Sequence, residues 1–108
     1  MSKGRILIVD DSRLSGTFCT DILAADGFDV ETASSGIEAL SLLKARDFDL
    51  VILDLILPDI SGQEVLHRSK QIKALTKFIV VTGHASLDSA IECLKSGASD
   101  YLTKPLNP

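Results

Sequence analysis

The chain has 108 residues and a net charge of −4, with 45% hydrophobic and 24% charged residues. This length suits one domain with a sizeable core, and the composition excludes a disordered chain. Because the net charge is negative and the chain has no run of basic residues, we expect no direct nucleic-acid binding. No apolar stretch is long enough to span a membrane. The first residues lead into a strand rather than a signal peptide, and the two cysteines lack a CxxC spacing, so we expect reduced thiols and a cytoplasmic location.

Five strands are expected from the apolar segments of the sequence. Three of them are continuous apolar runs without alternation, which is typical of strands buried on both faces of a parallel sheet: 5–9, 50–53 and 78–81. Two shorter strands are expected at 28–33 and at 101–103.

Four helices are expected between these strands. The first ends at Gly27, and the second begins at Ser35 with the spacing of a capping box. The third covers about 62–71 and the fourth about 87–96. The apolar stripes expected to face the core are Leu14, Phe18 and Ile22 in the first helix, Ile37, Ala39, Leu40 and Leu43 in the second, Val65, Leu66, Ser69 and Ile72 in the third, and Leu87, Ile91 and Leu94 in the fourth.

The alternation of strands and helices predicts an α/β protein with a parallel sheet, right-handed crossovers and helices on both faces. A fifth helix is missing, because the sequence stops at Pro108, a few residues past the last strand. We therefore expect one face of the sheet to be partly uncovered, either because the sequence is a fragment or because something outside it covers that face. Such a face favours association.

Chemically useful side chains follow the strands at the edge where parallel strands end. Asp10 and Asp11 follow the first strand, Asp54 the third, Thr82 the fourth and Lys104 the fifth. Open α/β folds place their ligand sites at this edge. Three carboxylates held close together repel one another unless a cation is present, and Mg²⁺ suits a site of this kind. A hydroxyl and an ammonium group suit a phosphoryl group, so the set predicts a phosphoryl-transfer site.

Each of these residues, taken alone, also has an ordinary structural explanation. Asp11 can cap the first helix, and Asp54 can form the turn ahead of the following proline. Thr82 can be a plain strand residue, Lys104 a solvated surface lysine, and Tyr101 a half-buried aromatic with a wet hydroxyl. The ordinary explanations do not account for a shared position at one edge of one sheet, which favours the functional interpretation.

The chain resembles a response-regulator receiver domain, the phosphoacceptor domain of two-component signalling. The matching features run along the whole chain: Asp10-Asp11, then Asp54 with Pro58 and Gly62 behind it, then Thr82-Gly83, and finally Tyr101-x-x-Lys104-Pro105. The resemblance implies a flavodoxin-like, doubly wound, five-stranded parallel sheet of strand order 2-1-3-4-5. Residues 1–108 would then form one receiver domain that is truncated after the fifth strand.

The resemblance also implies a role for each site residue. Asp54 would accept a phosphoryl group from the phosphohistidine of a histidine kinase or from a phosphotransfer protein. Mg²⁺ would be bound by Asp11, Asp54 and the backbone carbonyl of Ile56, with Asp10 contributing mainly through water. Lys104 would pair with the phosphoryl oxygens.

A conformational switch is implied as well. The hydroxyl of Thr82 would move toward the phosphoryl group and the ring of Tyr101 would turn inward behind it, which would control an output domain or partner. The domain would catalyse only its own phosphorylation and dephosphorylation, so we do not count it as an enzyme. The peptide bond between Lys104 and Pro105 would be cis.

Departures from the family pattern concern the lifetime of the phosphorylated state and the missing helix. Ile56 and His84 occupy the two positions that tune this lifetime in the family, and an apolar Ile56 has no group to orient an attacking water. The last helix normally forms part of the output and dimerisation surface. A dimer through the incompletely covered sheet face is therefore an open expectation.

Two other functions compete with this one. A Mg²⁺-dependent phosphatase of the haloacid-dehalogenase type carries its nucleophile on the first strand in a D-x-D arrangement and needs a cap, whereas this chain has adjacent acids and no room for a cap. A degenerate receiver would act only as an interaction module, but every phosphorylation residue is present.

Overall fold

The structure is a computed structural model that describes residues 3–11 and 20–104. Its five strands form one parallel sheet with the order β2-β1-β3-β4-β5. The strands are β1 Arg5–Val9, β2 Asp29–Ala33, β3 Leu50–Leu53, β4 Lys77–Thr82 and β5 Asp100–Thr103. The helices are α1, of which 20–25 are described, α2 Gly36–Ala45, α3 Gly62–Ile72 and α4 Leu87–Lys95. The predicted fold class and strand order are confirmed.

The core fills the space between one face of the sheet and helices α2, α3 and α4. The strand residues on this face are in register across three neighbouring strands and are fully buried: Leu7, Val9, Val51, Leu53, Phe78 and Val80. The helices contribute Ala39, Leu40, Leu43, Val65, Leu66 and Cys93 to the same cluster. Burial of this apolar surface is the main force that holds the helices on the sheet.

The opposite face of the sheet is more exposed at β5 than at β1. Ile6 and Ile8 on β1 are buried, β4 has one buried and one half-buried residue on this face (Val81 and Ile79), and Leu102 on β5 is 40% exposed. This difference agrees with the expectation of a partly uncovered sheet face. A fifth helix could only follow residue 104, outside the described residues.

Helix α4 packs differently from the sequence-based expectation. Leu87, Ile91 and Leu94 are 76%, 43% and 48% exposed, so the prediction that they face the core is wrong. The buried residue of α4 is Cys93, whose small side chain lets the helix approach the sheet closely. Periodicity identifies a stripe along a helix but does not say whether that stripe faces the core or the solvent.

The prediction of a core-facing side chain is also wrong for one residue at the end of each of the other three expected stripes. Ile22, Ile37 and Ile72 are each at least 40% exposed, and the latter two lie in the first turn of α2 and the last turn of α3. The remaining predicted core residues of α2 and α3 are buried. Leu14 and Phe18 lie outside the described residues.

The helix ends follow the capping signals of the sequence. Ser35 accepts a hydrogen bond from the amide of Glu38, as the capping box predicts. The Glu38 carboxylate accepts from the amide of Ser34 at 2.7 Å, one residue before the expected partner. Gly27 and Gly97 have positive φ and end α1 and α4, where a side chain would be strained.

Among the helices of the described residues, none has both the length and the apolar character needed to cross a membrane. Cys93 is a free thiol, and burial raises its pKa. Cys19 lies outside the described residues.

Candidate functional site

Hydrogen bonds of the sheet continue one residue past each functional strand end. The amide of Asp10 donates to the carbonyl of Ala33 at 3.0 Å, and the amide of Asp54 donates to that of Val9 at 2.9 Å. The amide of Lys104 donates to the carbonyl of Thr82 at 2.9 Å. Because these backbone positions belong to the hydrogen-bonded sheet, the side chains that leave them are held with little freedom.

The structure brings the three predicted carboxylates together. One oxygen of each of Asp10, Asp11 and Asp54 lies within 4.8 Å of the other two. Asp54 is buried, Asp10 is half-buried and Asp11 is exposed, so the cluster is open to solvent on one side. Asp54 therefore lies on the buried side of the cluster, and Asp11 lies on the side that solvent reaches.

Lys104 completes the cluster. Its ammonium group donates to Asp10 at 2.8 Å and to Asp54 at 3.0 Å, which joins the ends of β1, β3 and β5. This placement is consistent with the prediction that Lys104 lies at the shared sheet edge. It is not consistent with the alternative interpretation of Lys104 as a solvated surface lysine.

The electrostatic surroundings keep Lys104 charged. Burial alone would lower its pKa, but the hydrogen bonds and charges of Asp10 and Asp54 outweigh burial and raise the pKa above the ordinary lysine value. A raised pKa means that the ammonium group is charged at neutral pH and that, on the alkaline side, the ion pairs are lost only as the pH rises through the raised lysine pKa.

The residues fit a divalent cation. Within the described residues, the three carboxylates of the cluster exceed its ammonium group by two negative charges. A dication removes this excess, and oxygen ligands are the ones that Mg²⁺ prefers. Any two oxygen ligands of one Mg²⁺ lie at most about 4 Å apart, so three carboxylate oxygens within 4.8 Å of one another are close to the spacing that a shared ion requires.

The loop after β3 is built closely around Asp54. The amide of Ile56 donates to Oδ1 of Asp54 at 3.2 Å, while Oδ2 faces Lys104, so both carboxylate oxygens have partners. Ile56 is 53% exposed, and the contact of its amide with Asp54 places its backbone beside the cluster. Gly62 packs its Cα against the Asp54 carbonyl group, a position that has no room for a side chain.

Thr82 and Tyr101 are placed in separate surroundings. Thr82 is fully buried at the end of β4, and its hydroxyl oxygen accepts from the amide of His84 at 3.1 Å. The hydroxyl of Tyr101 is hydrogen-bonded to the hydroxyl of Ser89 on α4 at 2.5 Å. Ser89 also donates to the carbonyl of Ser86 at 3.3 Å, so in this arrangement Tyr101 is the donor to Ser89. Thr82 and Tyr101 are thus linked to the loop before α4 and to its first turn.

Two residues near the site were missed by the sequence interpretation. Asp59, next to Pro58, carries no sequence signal of a long-range contact, but it binds the start of α2, more than twenty residues away in sequence. Ser89 gave no signal as the partner of Tyr101. The proposed cis peptide bond involves Pro105, which lies outside the described residues.

Fold and site together define a class of protein: a five-stranded parallel α/β domain with an acidic cluster and a lysine at the carboxyl edge of its sheet. The family model described as "Response regulator receiver domain" matches residues 6–108. The chain therefore belongs to the receiver domain family of two-component response regulators.

Individual relatives agree with this assignment. The cell cycle transcriptional regulator CtrA of Caulobacter vibrioides is 35% identical over 103 residues, which are 95% of this chain and 45% of that protein. The chain thus spans less than half the length of this relative. Receiver domains of response regulators are signalling modules rather than enzymes in the ordinary sense.

Solved structures show the same fold. A CheY-like receiver domain protein from Methanospirillum hungatei JF-1 has a TM-score of 0.93 and 38% identity, covering 96% of this chain and 83% of that chain. A response regulator from Burkholderia pseudomallei, with a phosphorylated aspartic acid, a calcium ion and citrate, has a TM-score of 0.91 and 31% identity, covering 95% and 61% respectively. The haloacid-dehalogenase alternative has no support from these relatives.

Proposed function

We propose that Asp54 is the phosphoacceptor of this receiver domain and that the reaction depends on Mg²⁺. The observation that carries the proposal is the environment of Asp54, a buried carboxylate bonded to Lys104 and clustered with two further carboxylates. The solved relative with a phosphorylated aspartic acid and a calcium ion supports the same pairing of acceptor and divalent cation.

The ligands of the metal would be Asp11, Asp54 and the backbone carbonyl of Ile56, with Asp10 reached mainly through water. When bound, the ion supplies positive charge that offsets the charge of the phosphoryl oxygens. An oxygen of Asp54 forms the new bond to phosphorus as the phosphorus–nitrogen bond of the donor phosphohistidine breaks, and the imidazole leaves with that electron pair. Lys104 turns its ammonium group from Asp54 toward a phosphoryl oxygen.

The proposed donor is a histidine kinase or a phosphotransfer protein, and the proposed recipient of the signal is an output domain or protein partner, in the cytoplasm. Support comes from CtrA of Caulobacter vibrioides, a cell cycle transcriptional regulator of which this chain matches less than half. A dimer through the exposed sheet face stays a prediction.

The central test is intact mass after incubation with acetyl phosphate. We expect one added phosphoryl group in the presence of Mg²⁺ and none after chelation, because the excess negative charge of the cluster repels the phosphodonor. Hydroxylamine should remove the adduct, as it does an acyl phosphate. A folded chain that gains no phosphoryl group with Mg²⁺ present contradicts the proposal.

A second expectation concerns the proposed switch of Thr82 and Tyr101. Tyr101 is the single tyrosine of a chain without tryptophan, so tyrosine emission reports on this residue alone. Inward rotation of the ring breaks its bond to Ser89, and we therefore expect beryllofluoride with Mg²⁺ to change the emission. Ser89→Ala already lacks this bond and should show a smaller change. Unchanged emission in the parent chain at saturating beryllofluoride and Mg²⁺ would contradict the switch.

A further inference from the structure

The carboxylate of Asp59 joins the loop after β3 to the beginning of α2. Its Oδ1 accepts from the amide of Gly36 at 2.9 Å and its Oδ2 accepts from the amide of Ile37 at 2.8 Å. These are the first two residues of α2, whose amides have no partners within the helix. The side chain of the N-cap residue Ser35 accepts from the amide of Glu38 instead. The amides at the start of α2 therefore have two different side-chain acceptors, the N-cap Ser35 and Asp59 from another segment.

Packing reinforces the two hydrogen bonds. A side-chain carbon at Gly36 would lie 2.5 Å from Cγ1 of Ile60 and 2.8 Å from Cγ2 of Val65. The first turn of α2 thus lies directly on Ile60, the residue after Asp59. A close backbone approach of this kind requires glycine and leaves the loop little room to move relative to the helix.

The loop fixed in this way is the one that carries Asp54 and Ile56. Its base is closed by the amide of Gly62, which donates to the carbonyl of Leu55 at 2.8 Å. Its middle is held by Asp59 through the two bonds to α2. Between these two points lies Ile56, whose amide already contacts the carboxylate of Asp54.

The Asp59 bonds are charge-assisted. The amides of Ile37 and Gly36 lower the pKa of the Asp59 carboxyl below its ordinary value, so the group is ionised at neutral pH. A carboxylate at the start of a helix also interacts favourably with the helix dipole.

We propose that Asp59 is a positioning residue for the metal site: by tying the loop to α2, it holds the Ile56 carbonyl in place for Mg²⁺. This inference rests on the proposed function, since it assumes that Asp54 and Ile56 contribute to a Mg²⁺ site. Holding a ligand in place before the ion arrives reduces the ordering cost of binding.

The test compares two variants that damage the same helix end. Asp59→Ala removes the bonds to Gly36 and Ile37, whereas Ser35→Ala removes the cap bond to Glu38 and leaves the loop tied. Both should lower the melting temperature to a similar degree, because each removes a side-chain cap of α2. Mg²⁺ affinity is measured by calorimetric titration without any phosphodonor, so the readout is independent of phosphoryl transfer.

We expect Asp59→Ala to weaken Mg²⁺ binding roughly 10-fold, the lower end of the range for residues that support metal ligands from outside the coordination shell. The Mg²⁺ affinity of Ser35→Ala should stay within about twofold of that of the parent chain, since the hydrogen bonds between Asp59 and α2 are retained. Asp59→Asn keeps one acceptor oxygen and should fall between the parent chain and Asp59→Ala; it also provides the comparison should the alanine variant fail to fold.

Two outcomes overturn the inference in distinguishable ways. Equal Mg²⁺ affinities of the Asp59 and Ser35 variants would show that Asp59 is only a helix cap, and the proposed function would stand. Absence of Mg²⁺ binding by the parent chain would overturn the metal site itself, and the role of Asp59 with it.

Discussion

Replacing Asp54 by asparagine is expected to abolish phosphoryl uptake while leaving the fold intact. The amide has nearly the shape of the carboxylate but is a far weaker nucleophile toward phosphorus. It also removes one of the three negative charges that attract a divalent cation. Both the acceptor atom and part of the metal affinity are lost in one substitution.

The effect of Asp54→Asn on stability should be small, within about 1 kcal/mol. The carboxylate accepts from Lys104 and from the amide of Ile56, and an asparagine can satisfy only one of these two donors. This loss is offset because the repulsion from Asp10 and Asp11 is relieved.

Intact mass with acetyl phosphate and Mg²⁺ checks this expectation. The matched control is Asp26→Asn, which removes an exposed carboxylate that is paired at the surface with Lys3 and does not belong to the cluster. The control should gain one phosphoryl group like the parent chain. An adduct of equal yield on the Asp54 variant would show that another residue is the acceptor.

Replacing Gly62 by alanine is expected to cause the largest loss of stability of the substitutions considered. The new side-chain carbon would lie 2.2 Å from the carbonyl oxygen of Asp54 and 2.6 Å from Cα of Leu55. Both neighbours are backbone atoms at the end of a buried strand, so they cannot rotate away. We expect a loss of about 3 kcal/mol, the upper end of the usual range for overpacking.

The substitution should also disturb the site, because relief of the clash moves the backbone that carries Asp54. Gly83→Ala is the matched control, since the nearest atom to its new carbon is Cβ of Lys104 at 4.0 Å and its φ is not positive. This control should change stability by less than about 1 kcal/mol. Urea unfolding of both variants measures the difference. Equal midpoints would mean that the loop after β3 relaxes freely around residue 62.

The sequence by itself determined the architecture and which residues meet at the carboxyl edge of the sheet. Continuous apolar runs at β1, β3 and β4 are typical of strands covered on both sides, and their alternation with amphipathic segments indicates a parallel sheet. In such a sheet the residues that follow the strands meet at one edge, which is why Asp10, Asp54 and Lys104 could be grouped without coordinates. These inferences use local patterns and one rule of topology, both of which are present in a single sequence.

The tertiary structure alone decided which way α4 faces, how the loop after β3 is fixed, and what Tyr101 contacts. Leu87 and Leu94 form a regular stripe that faces solvent, because the small Cys93 is what fits against the sheet. The bonds of Asp59 to α2 and of Tyr101 to Ser89 join segments 12 to 23 residues apart. Contacts of this kind depend on how elements pack in space, and no periodicity or spacing along the chain encodes them.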